Sequence, residues 1–157
     1  MYNRRGGNVS LYDDSAGTDI DPTPVIGLLG IVDELVRRPP GATLVDGHRL
    51  VLLGPPDVSL SGSLWGATRD ARGGVLAPLD LGLHQRVVDL VRDLVVSGRV
   101  DGVHDVSAGG LGVAIAEMVS RSGVGAHLAR VDDHRALFGE GPSRVVLVVD
   151  PECLSDV

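Results

Sequence analysis

This sequence predicts a layered sandwich of strands and helices, in the α/β or α+β class. Three observations carry that prediction. Strand-like, β-branched runs alternate with helix-like runs along the chain, and "LGLHQRVVDLVRDLVVSGRV" (81–100) has a clear helical period. No internal repeat, linker or low-complexity run divides the chain, and its 157 residues suit a single domain (1–157) of ordinary size with a real core.

Taken in order, "PVIGLLGIV" (24–32) is apolar, β-branched and preceded by prolines, which predicts a buried strand. "DELVRRPPGATLVDGH" (33–48) carries turn signals and reads as a loop excursion. "RLVLLG" (49–54) predicts a second strand, closed by glycine and a double proline. "VSLSGSLWGATRDARGG" is rich in small residues and leaves its structure open, with Trp65 as a packing anchor. In the helix that follows, Val87, Val88, Leu90, Val91, Leu94 and Val95 share a face, while Arg86, Asp89, Arg92 and Asp93 lie elsewhere. Gly98 is placed to stop it. "VDGVHDVS" (100–107) predicts a short buried strand, and the next helix puts Leu111, Ala114, Ile115, Met118 and Val119 on one face. "GVGAHLARV" (123–131) and "SRVVLVVD" (143–150) predict two more strands.

Composition excludes several functions. Hydrophobic residues make up 43% and charged residues 22%, the balance of a globular chain rather than a disordered one. The net charge of −7 makes an extended nucleic-acid backbone a poor partner, though not a small phosphorylated ligand. One Trp, two Tyr and one Phe provide no stacking platform for single-stranded nucleic acid. The single cysteine, Cys153, excludes an internal disulfide framework and a thiolate metal cluster, in keeping with a cytoplasmic setting. The opening "MYNRRGGNVS" lacks the apolar core of a signal peptide, and runs such as "VIGLLGIV" are too short to span a bilayer, so no membrane partner is expected.

Two stretches carry candidate chemistry. In "HDVSAGGLGVAIAEMV" (104–119), Ser107 sits where an N-cap hydroxyl would accept a bond from a backbone amide. Gly109 and Gly110 free the backbone and leave amides uncovered, and a helix start of that kind attracts anions. Asp105, Ser107, Gly109 and Gly110 are therefore a candidate anion-attracting turn. The plainer reading is a capped helix with Asp105 closing the turn. A Ser–His–Asp triad is disfavoured, because three residues in one tight turn rarely face one another, and His104 reads as a hydrogen-bonded structural residue. In "GGNVSLY" (6–12), Gly7 permits close backbone approach, Asn8 offers an amide oxygen to a hard cation, and Ser10 offers a hydroxyl. Asn8 and Ser10 share a face if the segment is a strand. A polar turn leading into a strand is the plainer alternative.

"GGNVSLYDD", "IDPTPVIGLLGIVDE", "HDVSAGGLGVAIAEM" and "FGEGPSRVVLVV" follow one another in an order and spacing that resemble one family. The chain resembles the second carboxy-terminal domain of phosphoribosylformylglycinamidine synthase, of the AIR-synthase-related superfamily, from about residue 6 to residue 151. "HDVSAGGL" alone also fits hydrogenase-maturation, selenophosphate-synthesising and thiamine-phosphate kinase relatives, whereas "GNVSLY" with "PTPVIG" favours the purine enzyme. The resemblance implies an α+β fold in which a mixed sheet is layered against helices. It implies that Gly7 contacts ATP, Asn8 helps hold Mg²⁺, and Ser10 contacts formylglycinamide ribonucleotide. The complete enzyme it implies is a ligase of purine biosynthesis. That enzyme phosphorylates the substrate amide oxygen with ATP as co-substrate, and glutamine-derived ammonia displaces the phosphate to give an amidine. Its partners would be the remaining synthetase domains, a glutaminase subunit supplying ammonia and a small accessory subunit.

There are departures. Asp13 follows Tyr12 where the family usually has asparagine, and "FGEGPSR" replaces the family's late "FSES-x-GR", with Gly139, Gly141 and Pro142 at small polar or flexible positions. "MYNRR" does not match the apolar strand that usually leads into the motif, and no segment resembles the ATP-binding amino-terminal domains. No residue here is assigned as catalytic, no lysine occurs, and the chain alone is expected to be inactive. Two readings stand: a synthetase segment that contributes ligand contacts, or a repurposed binding or scaffold domain without activity.

Overall fold

A computed structural model describes residues 14–19, 26–35, 37–71 and 73–156, in two units, Met1–Leu35 and Val36–Val157. In the first unit, β1 (Asp14–Ser15) and β2 (Thr18–Asp19) form a minimal antiparallel hairpin. Ala16 and Gly17 turn it with φ of 53° and 77°, the pair of left-handed conformations that a two-residue hairpin loop of type I′ demands.

The buried strand expected at 24–32 is not found. Residues 24 and 25 lie outside the described residues, and residues 26–32 carry no strand, with Leu28 and Leu29 95% and 99% exposed. An apolar, β-branched run becomes a strand by pairing and packing, and no described strand of its own unit lies beside it to pair with.

The second unit holds β3 (Arg49–Leu53), α1 (Leu64–Ala67), α2 (Leu81–Ser97), β4 (Gly102–Asp105), α3 (Gly110–Ser122), α4 (His134–Phe138), β5 (Val145–Val149) and a closing 3-10 turn, Pro151–Asp156. The sheet order is β3-β5-β4, with both pairings antiparallel. The last strand in sequence is thus the central one, and its run "VVLVV" is apolar at every position because both of its faces are covered. On one face Val146 and Val148 pack with Val106, Leu111, Ala114, Ile115 and Met118, which is the α3 layer. On the other, Leu147 and Val149 pack with Leu94 and Val100, which is the α2 side. This is the α+β layering of sheet against helices that the resemblance implies.

Local signals set the helix limits. Asp80 caps α2 by accepting from the Leu83 amide at 2.9 Å, and Gly98 ends it in a left-handed conformation (φ 71°), its Cβ space filled by the Arg37 guanidinium. The α2 face is narrower than the sequence suggests. Val87 and Leu94 are buried and Val91 and Val95 half-buried, but Val88 and Leu90 are exposed, because one helix resting on one sheet covers only a narrow stripe.

No strand forms at 123–131. Val124, Leu128 and Val131 are the residues that pack on the core, and their spacing of four and three lacks the alternation of a strand. Trp65 is half-buried, stacked on His134 with 5.3 Å between ring centroids and covered by the Arg69 guanidinium at 4.0 Å. No helix among the described residues is long and apolar enough to cross a membrane.

Candidate functional site

β4 delivers the chain to the 104–110 turn at one end of the sheet, and α3 leaves it. Gly109 and Gly110 both adopt left-handed backbone, with φ of 83° and 67°. A side chain at position 110 would come within 2.7 Å of the Leu137 and Gly139 carbonyl oxygens, so glycine is required there twice over.

The expectation that Ser107 caps the helix does not hold. The N-cap is Gly109 and no side chain of the turn caps the helix; the Ser107 hydroxyl instead donates to the Asp105 carboxylate. The left-handed glycine pair starts the helix later than the serine spacing suggests, which leaves that hydroxyl short of the first-turn amides.

The amides expected to lie uncovered are also engaged. The Gly110 amide donates to the Ser107 carbonyl at 3.0 Å, and the Gly109 amide donates to Glu140 Oε1 at 2.7 Å. The anion held at this turn is the chain's own. The same oxygen accepts from the Leu64 amide at 2.7 Å, while the Glu140 backbone exchanges two hydrogen bonds with Ser59. Glu140 therefore ties the starts of α1 and α3 to a bridge between distant segments. Within "FGEGPSR", Gly139 is as tightly fixed, because a Cβ there would lie 2.5 Å from the Arg135 carbonyl and 2.9 Å from Val58 Cβ.

His104 is 12% exposed, and both its ring nitrogens are occupied. Nδ1 pairs with the Asp105 carbonyl at 2.7 Å and Nε2 with Glu117 Oε2 at 2.8 Å, which ties β4 to α3. Because the Ser107 hydroxyl turns to Asp105, it forms no serine–histidine relay with His104. The Asp105 carboxyl is held below its ordinary pKa first by that hydroxyl, against a smaller opposing effect of burial, with further help from its backbone and from His104.

Asp105 and Ser107 line a cleft of about 870 Å³ bounded by α2 and the 140–145 segment. Val87, Val88 and Val91 form an apolar wall, and His84 Nδ1 meets Ser143 Oγ across 2.8 Å. Arg144 lines the same cleft. Sequence reasoning missed Glu140 and His84, whose partners are remote in the chain, and Arg144, for which the charge at the head of an apolar strand was the visible signal. Gly7, Asn8 and Ser10 lie outside the described residues. Among the described residues, no three His, Cys, Asp or Glu side chains gather in a group able to hold a metal ion.

The model of the AIR synthase related protein, C-terminal domain, matches residues 45–157. The chain belongs to that family. Among curated proteins it is 38% identical over 152 residues to the phosphoribosylformylglycinamidine synthase subunit PurL of Renibacterium salmoninarum, covering 92% of this chain and 20% of that protein. It is 42% identical over 146 residues to PurL of a Nocardioides species, covering 92% and 19%. The chain thus spans about a fifth of the length of the curated relatives it matches.

Thermotoga maritima PurL complexed with FGAR aligns with a TM-score of 0.57 at 19% identity, covering 74% of this chain and 22% of that one. The same protein complexed with ATP aligns with a TM-score of 0.53 at 18% identity, covering 74% and 20%. At these identities the likeness shows the fold: this family member has the α+β architecture found in PurL.

Proposed function

We propose that this chain acts as part of a phosphoribosylformylglycinamidine synthase, the ATP- and glutamine-dependent ligase that amidates formylglycinamide ribonucleotide in purine biosynthesis. The observation that carries this reading is the agreement of the family match over 45–157 with 38–42% identity to PurL subunits across 92% of the chain. In this reading Gly7 contacts ATP, Asn8 contributes to the Mg²⁺ shell and Ser10 contacts the substrate. The described residues hold no group able to form that shell, so the remaining ligands come from the other synthetase domains. When bound, the ion neutralises charge on the transferring phosphoryl group. Within the chain, Glu140 fixes the α3 start and the 104–110 turn, which gives the turn an architectural role first.

A repurposed binding module is the competing reading, and its sequence grounds were Asp13, which lies outside the described residues, and the divergent "FGEGPSR". The engagement of Glu140 and the tight seat of Gly139 show that segment as an integrated part of the fold, which favours the synthetase reading. The test is to supply the rest of the synthetase in trans or by fusion. Asn8→Ala is expected to lower turnover at least tenfold, and Ser10→Ala mainly to raise the substrate KM. The chain by itself is expected to form no amidine from ATP and ammonia. Activity of the chain alone, or an active assembly indifferent to Asn8→Ala, would overturn the assignment.

A further inference from the structure

Arg144 is 6% exposed, and its guanidinium Nε and Nη1 are buried without a hydrogen-bond partner. Buried charges in folded proteins are ordinarily paired, so a cation left alone marks a site whose partner comes from elsewhere. Burial lowers the guanidinium's pKa, but arginine keeps its charge in proteins. The two carboxylates lining the same cleft do not supply the partner. Glu140 Oε1 is held by two backbone amides, and Asp105 by the Ser107 hydroxyl with His104 beside it.

We propose that Arg144 anchors a phosphate-binding subsite in the cleft between α2 and the 140–145 segment. The cleft, about 870 Å³, is of a size that accommodates a small ligand. Its apolar wall of Val87, Val88 and Val91 suits an uncharged part of that ligand, while Ser143, whose hydroxyl meets His84 Nδ1 at 2.8 Å, lines the polar side with Arg144. A phosphate keeps a further oxygen for the neighbouring Ser143 hydroxyl after two have met the guanidinium fork, whereas both oxygens of a carboxylate lie in that fork. The subsite goes beyond the synthetase reading and does not depend on it, because binding is read on this chain by itself.

The experiment titrates the purified full chain with inorganic phosphate at constant ionic strength, following the thermal midpoint and the phosphorus NMR line width. Phosphate is expected to raise the midpoint, and Arg144→Met to weaken its binding at least tenfold. If the methionine variant fails to fold, Arg144→Lys, which keeps the charge but loses the planar fork, is expected to show the tenfold loss. No midpoint shift in the parent, equal phosphate affinity in the variant, or an equal effect of acetate would overturn the proposal.

Discussion

The two long helices begin in opposite ways. At α2, Asp80 stands three residues before the amide it caps, and the whole device is contained in one turn of sequence. At α3 no side chain caps the first turn; the carboxylate that holds the amide of the N-cap residue, Gly109, belongs to Glu140, 31 residues further along the chain, and the residues at the helix start supply only left-handed glycine backbone. A local cap stabilises its own helix. The remote carboxylate makes the start of α3 conditional on the 138–144 loop, and at the Leu64 amide it adds a second tie to α1, whose own cap is the Ser63 hydroxyl. The turn that lines the cleft is therefore set by tertiary structure rather than by its own sequence.

The sharpest way to break this contrast is Glu140→Ala. It deletes an acceptor used by two backbone amides, and hydrogen bonds to a charged group are worth about 1.5–3 kcal/mol each. The expected cost is about 3 kcal/mol by chemical denaturation, with faster hydrogen exchange at both Leu64 and Gly109. Glu140→Gln keeps an acceptor oxygen in place and should lose less than half as much. If the alanine variant stays within about 0.5 kcal/mol of the parent, the remote carboxylate is only a contact and the comparison fails.

Asp80→Ala tests the local side and should matter less. The carboxylate is fully exposed, and its pKa is lowered mainly by the Leu83 amide. Removing it should lower the thermal midpoint by roughly 4 °C and speed exchange only in the first turn of α2, leaving Gly109 unaffected. Loss of protection at Gly109 in this variant would show that the two helix starts are coupled after all.

What was legible in the sequence follows the same division. The strands at 49–53, 102–105 and 145–149, the extent of α2 with Gly98 as its stop, and the buried face of α3 were all readable, because each rests on local periodicity or on one residue's backbone preference. The misread strands at 24–32 and 123–131 were apolar runs whose fate depended on whether a neighbouring strand exists, and periodicity carries no such information. The same limit hid the candidate site. "HDVSAGGL" was recognisable as a strand-to-helix turn, but the carboxylate that holds it and the unpaired Arg144 came from a segment in which only departures from a family pattern could be seen.

The smallest expected effect is at Ser107, and it separates a cap from a neighbour's partner. Were its hydroxyl an N-cap, Ser107→Ala would cost about 1 kcal/mol at any pH well above the acid range. The structure turns that hydroxyl to the exposed Asp105 carboxylate instead, so the cost should stay within about 0.5 kcal/mol. Its signature lies in the pH dependence. The hydroxyl is the largest cause of the lowered Asp105 pKa, so in Ser107→Ala that pKa should rise back toward the ordinary carboxylate value of about 3.9. A carboxyl with a lowered folded-state pKa contributes stability above its unfolded value, and that contribution is lost as the pH falls through the folded one. Parent and variant should therefore differ near neutral pH and converge below the parent's Asp105 pKa. Carbon-detected NMR titration of Asp105 alongside denaturation from pH 2 to 7 reads both quantities. An unmoved Asp105 titration with a full cap-sized loss would return Ser107 to the helix start and leave Glu140 as an auxiliary contact.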